Sequence, residues 1–185
     1  MDPREAVSLL QPAIPAAAGT WADLGCGEGT FTRALAELLG PGSRVYAVDR
    51  SRRRLLLLDR WTRSVDARVI PLVADFTLPL DLPGLDPPGL DGLLLANALH
   101  FAVDAEAVLS RLAARVRPGG RVVLVEYDGR RANPWVPYPI PSERMPHLAA
   151  SAGLVDPQVR ATRASAFGGT LYVATADRPQ GHRDT

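Results

Sequence analysis

Residues 21–39 read "WADLGCGEGTFTRALAELL", and the fold turns on how this stretch is parsed. A short apolar run from Thr20 ends at Leu24. Three glycines then follow at 25, 27 and 29, each separated by one residue, and Phe31, Ala34, Leu35, Leu38 and Leu39 repeat at helical spacing. Strand, glycine turn and helix in that order form the first half of a βαβ unit. Gly40-Pro41-Gly42 stops the helix.

Working outward, the same alternation continues. "RVYAVD" predicts a second strand, "RRRLLLLDRWTRSV" a second helix and "ARVIPLVAD" a third strand. Pro71 lacks the N–H that an interior ladder needs, which predicts that this third strand lies at a sheet edge. "GLLLAN" predicts the fourth strand, followed by a helix with Val108, Leu109, Leu112 and Val116 on one side. "RPGGRVVLVEY" predicts a turn and a fifth strand. Strands apolar on both faces and separated by helices imply a mostly parallel sheet covered on both sides. Upstream, Asp2-Pro3 with Glu5 predicts a capped helix to about Gln11. Downstream, a helix over 142–152 ends at Gly153, and "LVDPQVRATR" and "GTLYVATAD" predict an antiparallel hairpin. Between the third and fourth strands, the prolines of "FTLPLDLPGLDPPGLD" deny a regular helix and predict an extended, partly buried loop. No linker or repeat divides the chain. The expected organisation is one domain over 1–177, with 1–14 as amino-terminal helix and connector, and a flexible polar tail over 178–185.

Composition narrows the chemistry. A chain of 185 residues with 46% hydrophobic content can bury a real core. Its net charge of +1 supplies no bulk attraction for nucleic acid or an anionic membrane. Every one of the 21 basic residues counted as lysine or arginine is arginine, which excludes Schiff-base lysine chemistry and a Walker lysine. The single cysteine, Cys26, cannot form an internal disulfide, and three scattered histidines give no metal-ligand spacing. With no export signal or spanning run, a cytoplasmic chain is expected.

The carboxyl ends of the strands carry Asp23, Asp49, Asp75, Asn97 and Glu126. In an open α/β sheet those ends line one crevice, where ligands bind. A dinucleotide loop would place a third glycine where Thr30 stands, and Glu28 at the helix start would repel a pyrophosphate. A ligand bearing an ammonium and a sulfonium would instead be attracted by Asp23 and Glu28. At this point the residues resemble the class I S-adenosylmethionine-dependent methyltransferases from Trp21 to Asp177. The matches are "DLGCGEG", "VYAVDRS", "ADF", "DGLLLANALHF" and "VRPGGRVVLVEY". The resemblance implies a Rossmann-like α/β fold: a seven-stranded, mostly parallel sheet with a carboxyl-terminal antiparallel hairpin and helices on both faces. It also implies S-adenosylmethionine as cofactor and S-adenosylhomocysteine as product. By position, Asp23, Gly25, Cys26, Gly27 and Gly29 would approach the methionine portion, and Asp49 the ribose hydroxyls. Arg50 and Ser51 would flank the adenosine, Asp75 and Phe76 would meet the adenine, and Asn97 would lie near the sulfonium.

Methyl transfer is an in-line displacement that needs alignment and exclusion of water. A base is required only for a hydroxyl or protonated amine, and His100, Tyr127, Asp128 and Glu126 are the candidates by position. "YDGRRANPWVPYPIPSERMPHL" lies where an acceptor pocket is expected, with Trp135 and Tyr138 stiffened by prolines. No "NPPY"-like run follows the fourth strand, and Arg50, Arg52, Arg53 and Arg54 read as a solvated helix turn. The expected partner is a small-molecule acceptor, with a homodimer as a further candidate and neither nucleic acid nor membrane. Two rivals stay open: a cofactor-binding subunit that needs a partner, and a nicotinamide-dependent oxidoreductase.

Overall fold

The structure, a computed structural model, describes residues 1–165 and 168–181. One seven-stranded sheet organises it, in the order β3-β2-β1-β4-β5-β7-β6. The strands are β1 (Thr20–Leu24), β2 (Arg44–Asp49), β3 (Arg68–Val73), β4 (Leu90–Ala96), β5 (Val116–Asp128), β6 (Val155–Ala164) and β7 (Thr170–Asp177). The first five run parallel to their neighbours, whereas β7 pairs antiparallel with both β5 and β6. β3 is an edge strand, so Pro71 withholds no interior hydrogen bond. Strand order reverses between β1 and β4, and that switch point opens a crevice at the carboxyl ends.

Alternation along each strand feeds two apolar layers. Trp21, Val45, Leu94, Val123 and Val173 face one side with helices α1 (Pro3–Leu10) and α2 (Thr30–Leu39). Ala22, Leu24, Tyr46, Leu93, Leu95 and Leu124 face the other, with α4 (Ala105–Ala113) and α5 (Met145–Ser151). Asp2 accepts from Arg4 N–H at 2.9 Å while Glu5 accepts from Asp2 N–H at 3.0 Å, the capping box the sequence implies.

The crossover before β4 contains no helix, as its prolines predict. Leu80 and Leu82 plug the core instead. Its carbonyls, which a helix would have satisfied internally, take side-chain donors: Tyr46 Oη to Pro83 O at 2.8 Å, Arg111 Nη2 to Thr77 O at 2.6 Å and Arg115 Nη2 to Leu80 O at 2.8 Å.

Three expectations are corrected. The helix expected over Arg52 to Val65 is a single turn, α3 (Arg52–Leu55), followed by 3₁₀ turns at Leu58–Arg60 and Thr62–Ser64. Three arginines in its first turn oppose the helix dipole, and an unbroken run of four leucines has no single apolar face to bury. Only Leu55 and Leu58 of that run are buried, and Leu56 is 61% exposed. Val116 is not on α4; it opens β5, opposite Leu90, because Arg115 O accepts the Leu90 N–H at 2.9 Å. Arg178 is tied down: its N–H donates to Gly120 O at 2.8 Å and its guanidinium bonds Ala114 O at 3.0 Å, and also Val116 O. Residues 182–185 of the expected tail lie outside the described residues. Among the described residues, no helix is long and apolar enough to cross a membrane.

Candidate active site

Two neighbouring hollows lie at the carboxyl end of the sheet. The smaller, a cleft of about 380 Å³, is bounded by Gly25 after β1, Asp49 ending β2, Asp75 after β3 and Asn97 after β4. Phe76, Ala98, Arg50, Arg54, Pro134 and Trp135 complete its sides. Four strand ends thus converge on one place because parallel strands deliver their carboxyl ends to the same rim.

The glycine loop is drawn tight over β2. Gly25 and Cys26 donate their N–H groups to Val48 O at 2.8 and 3.0 Å, and Gly27 donates to Asp49 Oδ2 at 2.9 Å. Asp49 Oδ1 accepts from Ser51 N–H at 2.7 Å. The carboxylate is thereby fixed in place with lone pairs still directed to the cleft it lines. Gly25 holds φ +76°, and a Cβ there would stand 2.7 Å from Ala98 Cβ. Backbone can approach a ligand at this point because no side chain is present.

Asp75 folds its carboxylate back on the next turn, where Oδ1 accepts from Thr77 N–H at 2.9 Å and Thr77 Oγ1 at 2.7 Å. The Thr77 hydroxyl bond lowers its pKa from the ordinary value, so it stays ionised. Asn97 adopts φ +53°, a left-handed conformation that asparagine tolerates, and its Oδ1 is buried with no partner among the described residues. It lines both hollows.

Other residues expected at the cofactor stand behind the rim, not on its wall. Asp23 is buried, with Oδ2 accepting from Thr32 Oγ1 at 2.6 Å and Oδ1 without a partner among the described residues. Burial lifts its carboxyl to about 7 against the Thr32 bond, and the charge of Asp49 adds to the rise. Cys26 packs with Ala47, Leu55 and Leu58, and burial, then Asp23 and Asp49, pushes its thiol up and out of the reactive range. Gly29 lies under Trp61, whose Cζ2 would be 2.7 Å from a Cβ. Ser51 caps α3, accepting from Arg54 N–H at 3.4 Å.

The larger hollow, about 950 Å³, is bounded by His100, Phe101, Tyr127, Trp135 and Val136, by the loop 129–133, and by Gly168 and Gly169. His100 comes from a 3₁₀ turn after β4 (Leu99–Phe101), and its Nδ1 lies 2.6 Å from Glu126 Oε2. The same carboxylate accepts the His100 backbone N–H at 3.2 Å through Oε1. Burial raises the Glu126 carboxyl, and its bond to His100 works against that rise. Tyr127, the next residue, points oppositely into the hollow and carries the Arg130 guanidinium 4.4 Å above its ring centre. Burial raises the Tyr127 hydroxyl above its ordinary range. Asp128 does not reach the hollow; its Oδ1 accepts the Ser142 N–H at 2.6 Å and anchors the proline-rich loop. Tyr138 also stands outside it, held by a bond from its N–H to His100 O at 3.1 Å. Strand-end position alone named both His100 and Glu126. It carried no sign that residues 26 apart form one pair, nor that Arg54 reaches the cleft.

A family model described as "Methyltransferase domain" matches residues 22–122. The chain is 35% identical over 122 residues to an uncharacterized 37.1 kDa protein in a transposon of Streptomyces fradiae, covering 65% of this chain and 34% of that one. It is 31% identical over 137 residues to a 2-ketoarginine methyltransferase of Streptomyces arginensis, covering 70% and 38%. The chain therefore spans little more than a third of the length of these curated relatives. Among solved structures it is similar to the 1,6-didemethyltoxoflavin-N1-methyltransferase of Burkholderia thailandensis with bound 1,6-didemethyltoxoflavin and S-adenosylhomocysteine. That likeness has a TM-score of 0.73 at 23% identity and covers 96% of this chain and 78% of that one. It concerns the fold.

Proposed function

The chain belongs to the class I S-adenosylmethionine-dependent methyltransferase family, and from that premise we propose that it binds S-adenosylmethionine in the smaller cleft and methylates a small molecule in the larger hollow. The observation that carries this reading is the cleft itself, where glycine backbone, two carboxylates and an unpartnered amide oxygen meet at the switch point of the sheet.

The residues fit the cofactor's chemistry. Asp49 is fixed by Gly27 and Ser51 with acceptor capacity left for a ribose diol. Asp75, Phe76 and Ala74 form the adenine end. Gly25 leaves room for backbone approach, the Asn97 oxygen favours a cation nearby, and a cation there would in turn favour ionisation of the buried Asp23 carboxyl. The cofactor, when bound, supplies a methyl carbon activated by its sulfonium. The chain's own contribution is alignment: Asn97 lies on the wall shared by both hollows, and Phe101 and Trp135 border both. With cofactor and acceptor in place, these aromatic side chains would keep water from the line of transfer.

The test is calorimetric titration with S-adenosylhomocysteine. Asp49→Ala should weaken binding roughly 10–100-fold, since hydrogen bonds to a charged group contribute about 1.5–3 kcal/mol. An unchanged affinity removes Asp49 from the site. Binding of NADH in place of S-adenosylhomocysteine would overturn the reading.

A further inference from the structure

Resting on that reading, we propose that the larger hollow takes an anionic compound bearing an aromatic or enolic hydroxyl, and that His100, held by Glu126, accepts the hydroxyl proton as the oxygen takes the methyl group. Three independent features of the hollow carry this.

The first is the pair. His100 is 2% exposed and Glu126 0%, so a carboxylate has been taken wholly out of water, which is costly unless its bonds are well made. It makes two, to Nδ1 and to the backbone N–H of the same residue, so one carboxylate fixes both ring and turn. With Nδ1–H donated to Glu126, Nε2 is the nitrogen that keeps a lone pair, and the ring lies on the wall of the hollow.

The second is charge. Among the described residues on this wall, the formal charges are those of Arg131 and of Arg130, which stacks over Tyr127 and donates from Nε to Gly168 O at 3.4 Å, and no carboxylate faces in. Glu126 sits behind the imidazole, and Asp128 is turned to Ser142. Such a wall favours an acceptor with a negative group and repels a cationic amine.

The third is shape and place. Trp135 offers a flat apolar face for a conjugated ring beside Tyr127, and Asn97 marks where the hollow meets the cofactor cleft. His100 lies in the chain between Asn97 and Phe101, both of which border the cofactor cleft, so a hydroxyl at His100 is placed toward the methyl donor.

The step balances. The hydroxyl oxygen forms the new O–C bond, the pair of the broken C–S bond stays on sulfur, and the proton passes to Nε2. The imidazolium that results is paired with the Glu126 carboxylate, and the proton leaves to water when product departs. The groups around His100 are Glu126 and Tyr127 from β5, whose ring centre is 6.4 Å away, Phe101 from its own turn at 4.5 Å, and Arg130 over Tyr127. Of this pair, Glu126 is a positioning residue and His100 is the one that touches the acceptor.

The probe is 4-hydroxy-3-nitrobenzoate, whose colour reports ionisation of its ring hydroxyl, added to the protein saturated with S-adenosylhomocysteine. In the wild type the bound probe should ionise about one pH unit or more below the free compound. His100→Gln should bind S-adenosylhomocysteine and the hydroxyl-free 3-nitrobenzoate as the wild type does, yet lose that shift. Glu126→Asp should keep part of the shift, and Glu126→Gln should lose most of it. The inference is overturned if the wild type does not bind the probe, if the bound probe ionises like the free one, or if His100→Gln shows the same shift. Failure of the wild type to bind S-adenosylhomocysteine is a separate outcome, and it would remove the cofactor reading with everything built on it.

Discussion

The smaller cleft takes its core from four strand ends that lie side by side because the sheet is parallel, whereas the larger hollow is closed by the loop 129–136, a 3₁₀ turn, and Gly168 and Gly169. In the first, the polar groups are fixed by backbone N–H groups, from a residue or two away or from the glycine loop after the adjacent strand: Asp49 by Ser51 and Gly27, Asp75 by Thr77. In the second, the decisive bond joins His100 to Glu126 across 26 residues of chain. A rim whose carboxylates are fixed by backbone N–H groups is one that many chains can share. A hollow built from loops and one long-range pair can change its contents without disturbing the sheet.

If the cleft is as rigid as its bonds imply, the most damaging single change on that side should be Gly25→Val. The new Cβ would meet Ala98 Cβ at 2.7 Å and Phe76 Cε1 at 3.2 Å, at a φ that a β-branched residue resists. Backbone strain and overpacking together should lower stability by roughly 3–5 kcal/mol and abolish S-adenosylhomocysteine binding. Gly27→Ala, with nothing within 4 Å of its Cβ, should show only the strain of about 1–2 kcal/mol. Denaturant midpoints and calorimetry read both. Equal behaviour of the two variants would mean that close packing at Gly25 is not what shapes the cleft.

Asp23 gives the next effect in size, and it is visible through pH. Its carboxyl goes from an ordinary 3.8 to about 7 in the folded chain, so the folded state favours the neutral acid. The stability this contributes is present in full below pH 3.8 and is lost as pH rises through about 7. Between pH 5 and 7 the unfolding free energy should fall by about 2 kcal/mol on this account. Asp23→Asn, which can still accept from Thr32, should flatten the slope. S-adenosylmethionine, positive at sulfur, should reduce the wild-type slope more than S-adenosylhomocysteine does. A slope that is the same in wild type and Asp23→Asn would place the titration elsewhere.

The same division explains what could be read from the chain in advance. β1, the glycine turn and α2 were legible because their signals are local: apolar run, glycines with positive φ, and a 3.6-residue repeat ending at Gly40. The edge position of β3 followed from Pro71, and the helix-free crossover from its prolines. The segment after Ser51 was misread because leucines signal helix by propensity, while the fold asks this segment to carry Trp61 over Gly29, a tertiary demand that breaks the helix into 3₁₀ turns. Asp23, Cys26 and Gly29 fall in the right stretch, yet the Asp23 and Cys26 side chains turn into the packing beneath the rim and Trp61 covers Gly29. On the acceptor side, Asp128 and Tyr127 are adjacent, and strand alternation sends only Tyr127 into the hollow.

Trp135 separates the two regions with the smallest change in stability. It is 77% exposed yet borders both hollows, and its N–H is held by Asn133 Oδ1 at 2.9 Å independently of the indole. Because so little of the ring is buried against the fold, Trp135→Ala should shift the unfolding free energy by no more than about 0.5 kcal/mol. The lost aromatic face should still weaken binding of 4-hydroxy-3-nitrobenzoate by about 3–10-fold, in keeping with about 0.5–1.5 kcal/mol for one ring contact. S-adenosylhomocysteine, held chiefly by the strand ends, should be affected less. If the cofactor product loses more affinity than the acid probe, the indole belongs to the cleft rather than to the hollow, and the boundary drawn at Asn97 has to move.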